Sequence, residues 1–211
     1  MEKYGICYIF GAAKISETDI SPKEGDCVIA ADGGFAELQR LSISADIVVG
    51  DFDSLKRIPE HENVLKYPVE KDDTDMMLAV KEGIYRGYKK FILYGGLGGR
   101  LDHTLANIQV LVNLSRNRAS GYLVGDGMVI TAVSNGSITF LGDKKGTISV
   151  FCSGDKAEGV CLEGLKYPLV NADLSDDVPL GISNEFTGRE SKITVGKGTL
   201  VILWNEDNFT L

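Results

Sequence analysis

The chain has 211 residues, 44% of them hydrophobic and 25% charged, and its 22 basic against 30 acidic side chains give a formal charge of −8. Such proportions belong to a globular protein with one large core or two modest ones, and they exclude disordered or collagen-like chains. Clustered Lys and Arg of the kind that nucleic-acid phosphates demand are missing, so no nucleic-acid partner is expected. No stretch of about 18 apolar residues occurs, so no membrane span is expected either, and the expected location is cytoplasmic. The apolar run Tyr4–Ala13 has the length of a short secretory segment, but a buried first strand accounts for it and agrees with the strand-like runs later in the chain.

Taken in chain order, Ile6–Phe10, Cys27–Ala31, Asp46–Gly50 and Phe91–Tyr94 read as buried strands, each running into a Gly or Asp loop. Between them Gly34–Leu41 and Thr74–Tyr88 read as helices, the second with Met77, Val80, Ile84 and Tyr88 as its apolar stripe. A third helix is expected over Asp102–Ser115, with Leu105, Ile108 and Val112 facing inward. Strand then helix, repeated, predicts an α/β layered domain with a mostly parallel sheet. From about Met128 the helical period stops, and short alternating runs take over: Val129–Val133, Ser137–Phe140, Thr147–Cys152, Lys192–Val195 and Leu200–Trp204. Asn135-Gly136 between two of them is a hairpin signal. This half reads as all-β, a sandwich or a flattened barrel. The boundary falls near Gly125–Gly127, which divides the chain into residues 1–126 and 127–211.

The cysteines Cys7, Cys27, Cys152 and Cys161 form no C-x-x-C pair and have no neighbouring histidine, so their spacing does not suggest zinc. Three lie in apolar runs as buried thiols. A Cys152–Cys161 disulfide would require an oxidising compartment.

Four constellations fall at strand ends of the first half, where open α/β sheets bind ligands. Asp32-Gly33-Gly34 lets a ligand approach the main chain at a helix start. Asp51 and Asp53 alternate as they leave a strand, so both carboxylates face one side. Two such carboxylates repel each other unless a cation such as Mg²⁺ lies between them. Lys71-Asp72-Asp73-Thr74-Asp75 holds more negative charge than a helix cap needs. It suggests a second contribution to that metal, with Lys71 toward a phosphate. In Gly95-Gly96-Leu97-Gly98-Gly99-Arg100-Leu101-Asp102-His103, four glycines wrap a ligand and Arg100 offers a planar fork to phosphate oxygens. Asp102 caps the next helix, or orients Arg100 or a metal-bound water. The loop matches neither a Walker nor a Rossmann fingerprint. His61 and His103 read as structural or surface residues.

These motifs, with GLKYPL at Gly164–Leu169 and GISNEF at Gly181–Phe186, resemble the thiamine pyrophosphokinase family in order and spacing over nearly the whole chain. The resemblance implies an α/β domain that binds ATP and Mg²⁺, joined to a β-sandwich that binds thiamine, in a homodimer whose active site lies between protomers. It implies transfer of a pyrophosphoryl group from ATP to the thiamine hydroxyl, giving thiamine diphosphate and AMP. Asp51, Asp53 and Asp75 would hold the metal, and with Arg100 they would form the catalytic set. Asp32, Gly33, Lys71, Asp72, Gly98, Arg100 and Asp102 would contact ATP, and Tyr167, Ser183 and Asn184 would contact thiamine. Asp51-Phe52-Asp53 also fits the D-x-D nucleophile of haloacid-dehalogenase-type phosphatases, which have no use for the glycine-arginine loop or the β half. A binding protein that kept the fold without turnover is the other alternative.

Overall fold

Runs of apolar residues with no polar alternation can be satisfied only by burial on both faces, and four such runs form the middle of a parallel sheet. In the computed structural model, which describes residues 5–16, 20–52, 60–68, 70, 72–205 and 209, these are β1 (Ile6–Phe10), β2 (Cys27–Ala31), β3 (Ile47–Gly50) and, later in the chain, β5 (Lys90–Tyr94). A short β4 (Val64–Lys66), unforeseen in the sequence, extends the sheet. Pairing is parallel for β1 with β2, β2 with β3, β3 with β4 and β1 with β5. With β6 (Ser120–Gly125) beside β5, the order is β6-β5-β1-β2-β3-β4. The direction of strand addition reverses at β1. The fold is mixed α/β, with twelve strands and three helices among the described residues. None of those helices is long and apolar enough to cross a membrane.

Helix α1 (Gly34–Arg40) starts on a glycine because a Cβ at Gly34 would lie 1.8 Å from the Phe10 carbonyl oxygen. Helix α2 (Asp75–Tyr85) is capped by Thr74, whose hydroxyl accepts the Met77 N–H at 3.2 Å. Its buried side carries Met76, Ala79, Val80 and Gly83, a rotation away from the expected stripe of Met77, Val80, Ile84 and Tyr88. Gly83 explains the rotation. A Cβ there would stand 2.6 Å from the Phe91 ring and 2.8 Å from Cys7 Sγ, so the helix rests on the sheet with its glycine side down. Tyr88 lies beyond the helix, buried, with its hydroxyl donating to the Gly25 carbonyl.

Helix α3 (Leu101–Arg116) also turns differently from expectation. Asn107, Val110, Leu111 and Leu114 are buried together with Val112, whereas Leu105 is 56% exposed. Apolar residues occur around much of this helix, so periodicity alone left its rotation undetermined.

The chain divides into two compact units, residues 1–110 with 121–126 and residues 111–120 with 127–211. In the second, β7 (Met128–Phe140), β8 (Thr147–Cys152), β9 (Lys156–Glu163), β10 (Leu169–Ser175), β11 (Gly181–Glu185) and β12 (Ser191–Asn205) pair antiparallel. Asn135-Gly136 forms no hairpin: β7 runs straight through it. Asn135 adopts φ 48° and its Oδ1 accepts the Gly198 N–H at 2.9 Å, facing a register shift between Val195 and Thr199 of β12. Both strands bend there. On one side of the bend β12 pairs with β9, and on the other with β8. A straight strand of 13 residues would span roughly 40 Å. Yet Phe140 and Trp204, from opposite ends of the β7–β12 ladder, pack edge to face at 5.2 Å. The ladder therefore folds over on itself. All four cysteines are free thiols.

Candidate active site

Where strand order reverses, the loops leaving neighbouring strands diverge and open a crevice at their carboxyl ends. A cavity of about 410 Å³ occupies that position in the first unit. Its floor is built from the turns after β1 (Gly11, Ala12, Ala13), β2 (Ala31, Asp32) and β5 (Gly95, Gly96). Thr74, Asp75 and Met76 open α2 along one wall, and Gly99 and Arg100 with the α3 residues His103, Ala106 and Asn107 form the other. The floor needs small residues. Gly11 and Gly95 cross so closely that a Cβ on Gly95 would sit 2.3 Å from the Gly11 carbonyl oxygen. A larger cavity of about 640 Å³ lies before the amino ends of β2 and β3. Its aspartates are committed to main chain: Asp26 accepts from Ile6 and Lys23, and Asp46 from Val28.

The site residues expected from sequence separate into several groups. Asp32, Asp75 and Arg100 share the first cavity. Asp32 takes φ 45°, its N–H donates to Val49 at 2.7 Å, and its Cα lies 3.1 Å from where Gly50 would carry a Cβ. Gly50 thus brings the β2 and β3 exits together, and half-buried Asp51 comes directly after it. Gly33 precedes α1 and Gly98 (φ 76°) is exposed beside Asp126; neither lines the cavity. Asp72 is exposed, and Asp73 pairs with Lys81 at 2.6 Å. Asp53 and Lys71 lie outside the described residues.

Arg100 donates from Nε (3.1 Å) and one terminal nitrogen (2.6 Å) to the two oxygens of Asp102. Asp102 also accepts the His103 N–H. The Arg100 fork holds the Asp102 carboxyl below the usual carboxylate range, and Asp102 in turn raises the guanidinium. Both side chains are largely in solvent, where such a pair contributes little to stability. Arg100 itself belongs to the lining of the cavity.

His103, Ala106 and Asn107 escaped the sequence reading as site residues. They sit at i, i+3 and i+4 on one face of α3, immediately after the glycine loop, and that spacing was the available signal.

In the second unit, Tyr167 is 57% exposed and Ser183 is exposed with φ 55°. Asn184 is buried, and its amide is spent on main chain: Oδ1 accepts from Tyr167 and Glu185, both at 2.9 Å, and Nδ2 donates to the Tyr167 carbonyl at 2.7 Å. Asn184 therefore fixes the Tyr167 main chain beside β11.

Comparison with known proteins matches residues 21–123 to the thiamin pyrophosphokinase catalytic domain and residues 137–200 to the thiamin pyrophosphokinase vitamin B1 binding domain. The thiamine pyrophosphokinase of Bacillus subtilis is 30% identical over 186 residues, covering 85% of this chain and 87% of that protein. Among solved structures, thiamine pyrophosphokinase from Bacillus subtilis superposes with a TM-score of 0.84 at 25% identity, covering 95% of this chain and 98% of the other. The thiamin pyrophosphokinase of Geobacillus thermodenitrificans gives 0.81 at 26% identity, covering 98% and 100%.

Proposed function

The chain belongs to the thiamin pyrophosphokinase family, and on that footing we infer that it transfers the pyrophosphoryl group of ATP to the hydroxyl of thiamine, releasing thiamine diphosphate and AMP. The observation that carries this reading is the cavity at the strand-order reversal, where carboxylates, a glycine loop and one arginine converge within the segment matched to the catalytic domain. Residues 1–126 are read as the catalytic domain, and 127–211 as a β-sandwich that binds thiamine.

Mg²⁺ takes carboxylate and phosphate oxygens, and the donors here are aspartates: Asp51 and Asp75 at strand and helix ends, with Asp53 close after Asp51 in sequence. Among the described residues no group of three or more His, Cys, Asp or Glu stands close enough to hold a metal; Asp51 and Asp75 fit the ion in kind, and Asp53 is proposed as the third ligand. A bound ion would neutralise charge on the phosphate oxygens of ATP. The protein's own part is chiefly positioning. Arg100, with Lys71 from the segment that leads into α2, offsets charge on the transferred group. Asp75, at the first turn of α2 and on the cavity wall, accepts the hydroxyl proton as thiamine attacks the β-phosphorus in line and AMP departs. Asp32 borders the phosphates, with Gly33, Asp72, Gly98 and Asp102 supporting the loops around them. Tyr167, Ser183 and Asn184 contact thiamine, Asn184 also fixing the Tyr167 main chain, and the proposed assembly is a homodimer with its active site between subunits.

An endpoint assay with ATP, Mg²⁺ and thiamine tests the reading. Thiamine diphosphate appearing one-for-one with AMP is expected; ADP with thiamine monophosphate would overturn attack at the β-phosphorus. Asp75→Asn should lower kcat by about 10³-fold without altering the melting temperature, as loss of a general base does. A rate within about threefold of wild type would remove Asp75 from that role.

A further inference from the structure

We propose that Asn107 reads the purine base of the nucleotide co-substrate, selecting a 6-amino over a 6-keto ring; this rests on reading the first cavity as the ATP site. Asn107 is 5% exposed, yet it lines that cavity. A carboxamide offers an acceptor at Oδ1 and donors at Nδ2. Among the described residues its side chain has one hydrogen-bond partner, the Gly96 carbonyl, which accepts from Nδ2 at 3.0 Å. Gly96 is shaped for this contact, since a Cβ there would lie 2.7 Å from Nδ2. A carbonyl can only accept, so the amide cannot turn its oxygen toward Gly96. With Nδ2 committed to Gly96, Oδ1 is the acceptor this lining residue has left to offer, and the chemistry it recognises is a donor.

The surroundings say which donor. Arg100 immediately precedes α3 and Asn107 lies two turns into it, about 10 Å away along the helix axis. With phosphates held near Arg100 and Asp75, the far end of a nucleoside triphosphate reaches Asn107. Ala12, Ala13 and Ala106 line the same cavity, small and apolar enough to admit a flat ring. An Asn carboxamide pairs naturally with adenine, its oxygen taking the 6-amino group and its N–H meeting N7. Hypoxanthine carries a carbonyl at position 6, which would face Oδ1 acceptor to acceptor. The Gly96 carbonyl blocks the amide flip that would relieve the clash.

The test is titration calorimetry of the whole protein with Mg²⁺ and either ATP or inosine triphosphate, in the absence of thiamine, followed by kcat/KM with thiamine for each nucleotide. Wild type should prefer ATP by about tenfold or more, the scale of one polar contact exchanged for an unpaired one. Asn107→Ala should weaken ATP and bring the ratio of the two affinities close to one. If that variant does not fold, Asn107→Leu, which fills the same space without polar atoms, replaces it. A variant that loses both nucleotides equally and keeps the wild-type ratio would show that Asn107 serves only the glycine loop, and the proposal would fall. Equal binding of both triphosphates by wild type would overturn the proposal alone. Binding of neither would overturn the ATP-site reading as well.

Discussion

Glu37 shows how a single side chain supports the site from outside it. Its carboxylate accepts the Ile15 N–H at 3.1 Å and two donors of Arg40, at 3.1 and 2.8 Å, while Arg40 also donates to the Ile15 carbonyl. The segment after β1, which supplies Ala12 and Ala13 to the cavity, is thus tied to α1. The Arg40 hydrogen bond is the main reason the Glu37 carboxyl titrates below its ordinary value of 4.5, with the Ile15 N–H adding to it against burial. A carboxyl depressed by folding stabilises the protein above its unfolded pKa, and that contribution fades as pH falls through the lower, folded value. Glu37→Gln should therefore cost about 1 kcal/mol at pH 7, or roughly 2–4 °C in Tm. The gap should narrow below pH 4.5 and close once the wild-type carboxyl is protonated. Thermal melts of both proteins from neutral pH down to about pH 3 measure it, and a gap independent of pH would contradict the assignment.

At the scale of elements, the bend shared by β7 and β12 makes the sharpest prediction. Asn135 combines a positive φ with a side-chain bond to Gly198. Asn135→Gly keeps the backbone and loses the bond, costing about 1 kcal/mol. Asn135→Val loses the bond and also forces a β-branched residue into the left-handed region, for about 2–4 kcal/mol in total. Denaturant midpoints should rank wild type, then Gly, then Val; Val equal to Gly would mean that the bend carries no strain. The same bend marks the limit of what the sequence disclosed. Asn135-Gly136 is a local turn signal, and Val195 and Leu200 bracket a second interruption, but only long-range pairing shows that the two interruptions lie opposite each other within continuous strands. The central strands were legible because they are apolar on both faces, and Asp32, Asp75 and Arg100 because they stand at the ends of such strands or of the loops beyond them. The rotations of α2 and α3 were not. In α2 the decisive residue is Gly83, whose missing side chain leaves no mark on an apolar stripe. In α3 the polar Asn107 faces inward while Leu101, 72% exposed, faces out, which inverts the pattern used to orient a helix, and Asn107 went unnoticed with it.

For the molecule as a whole, the proposed homodimer makes a claim about which chain supplies which half of the active site. Asp75 belongs to the first compact unit and Tyr167 to the second. If thiamine is held between subunits, Asp75 of one protomer works with Tyr167 of the partner subunit. Asp75→Asn removes the proposed proton acceptor. Tyr167→Ala removes a proposed thiamine contact that is already 57% exposed, so it empties no core and should leave the fold intact. Asp75→Asn alone is expected to retain about 0.1% of turnover and Tyr167→Ala about a few per cent, on the scale of losing an acid-base or a positioning group. Co-expressed in equal amounts, the chains form mixed dimers in half of the molecules, and each mixed dimer has one site free of either change. Activity should then recover to about a quarter of wild type, because a two-fold interface pairs the same patches in both directions. A site built within one chain would always carry one of the two substitutions, and the mixture would stay at the level of its parents. The comparison is made at equal total protein on the unsorted mixture, and mixed dimers isolated by two different affinity tags should reach about half of wild type. Tagged heterodimers without recovered activity would place both halves of the site in a single chain.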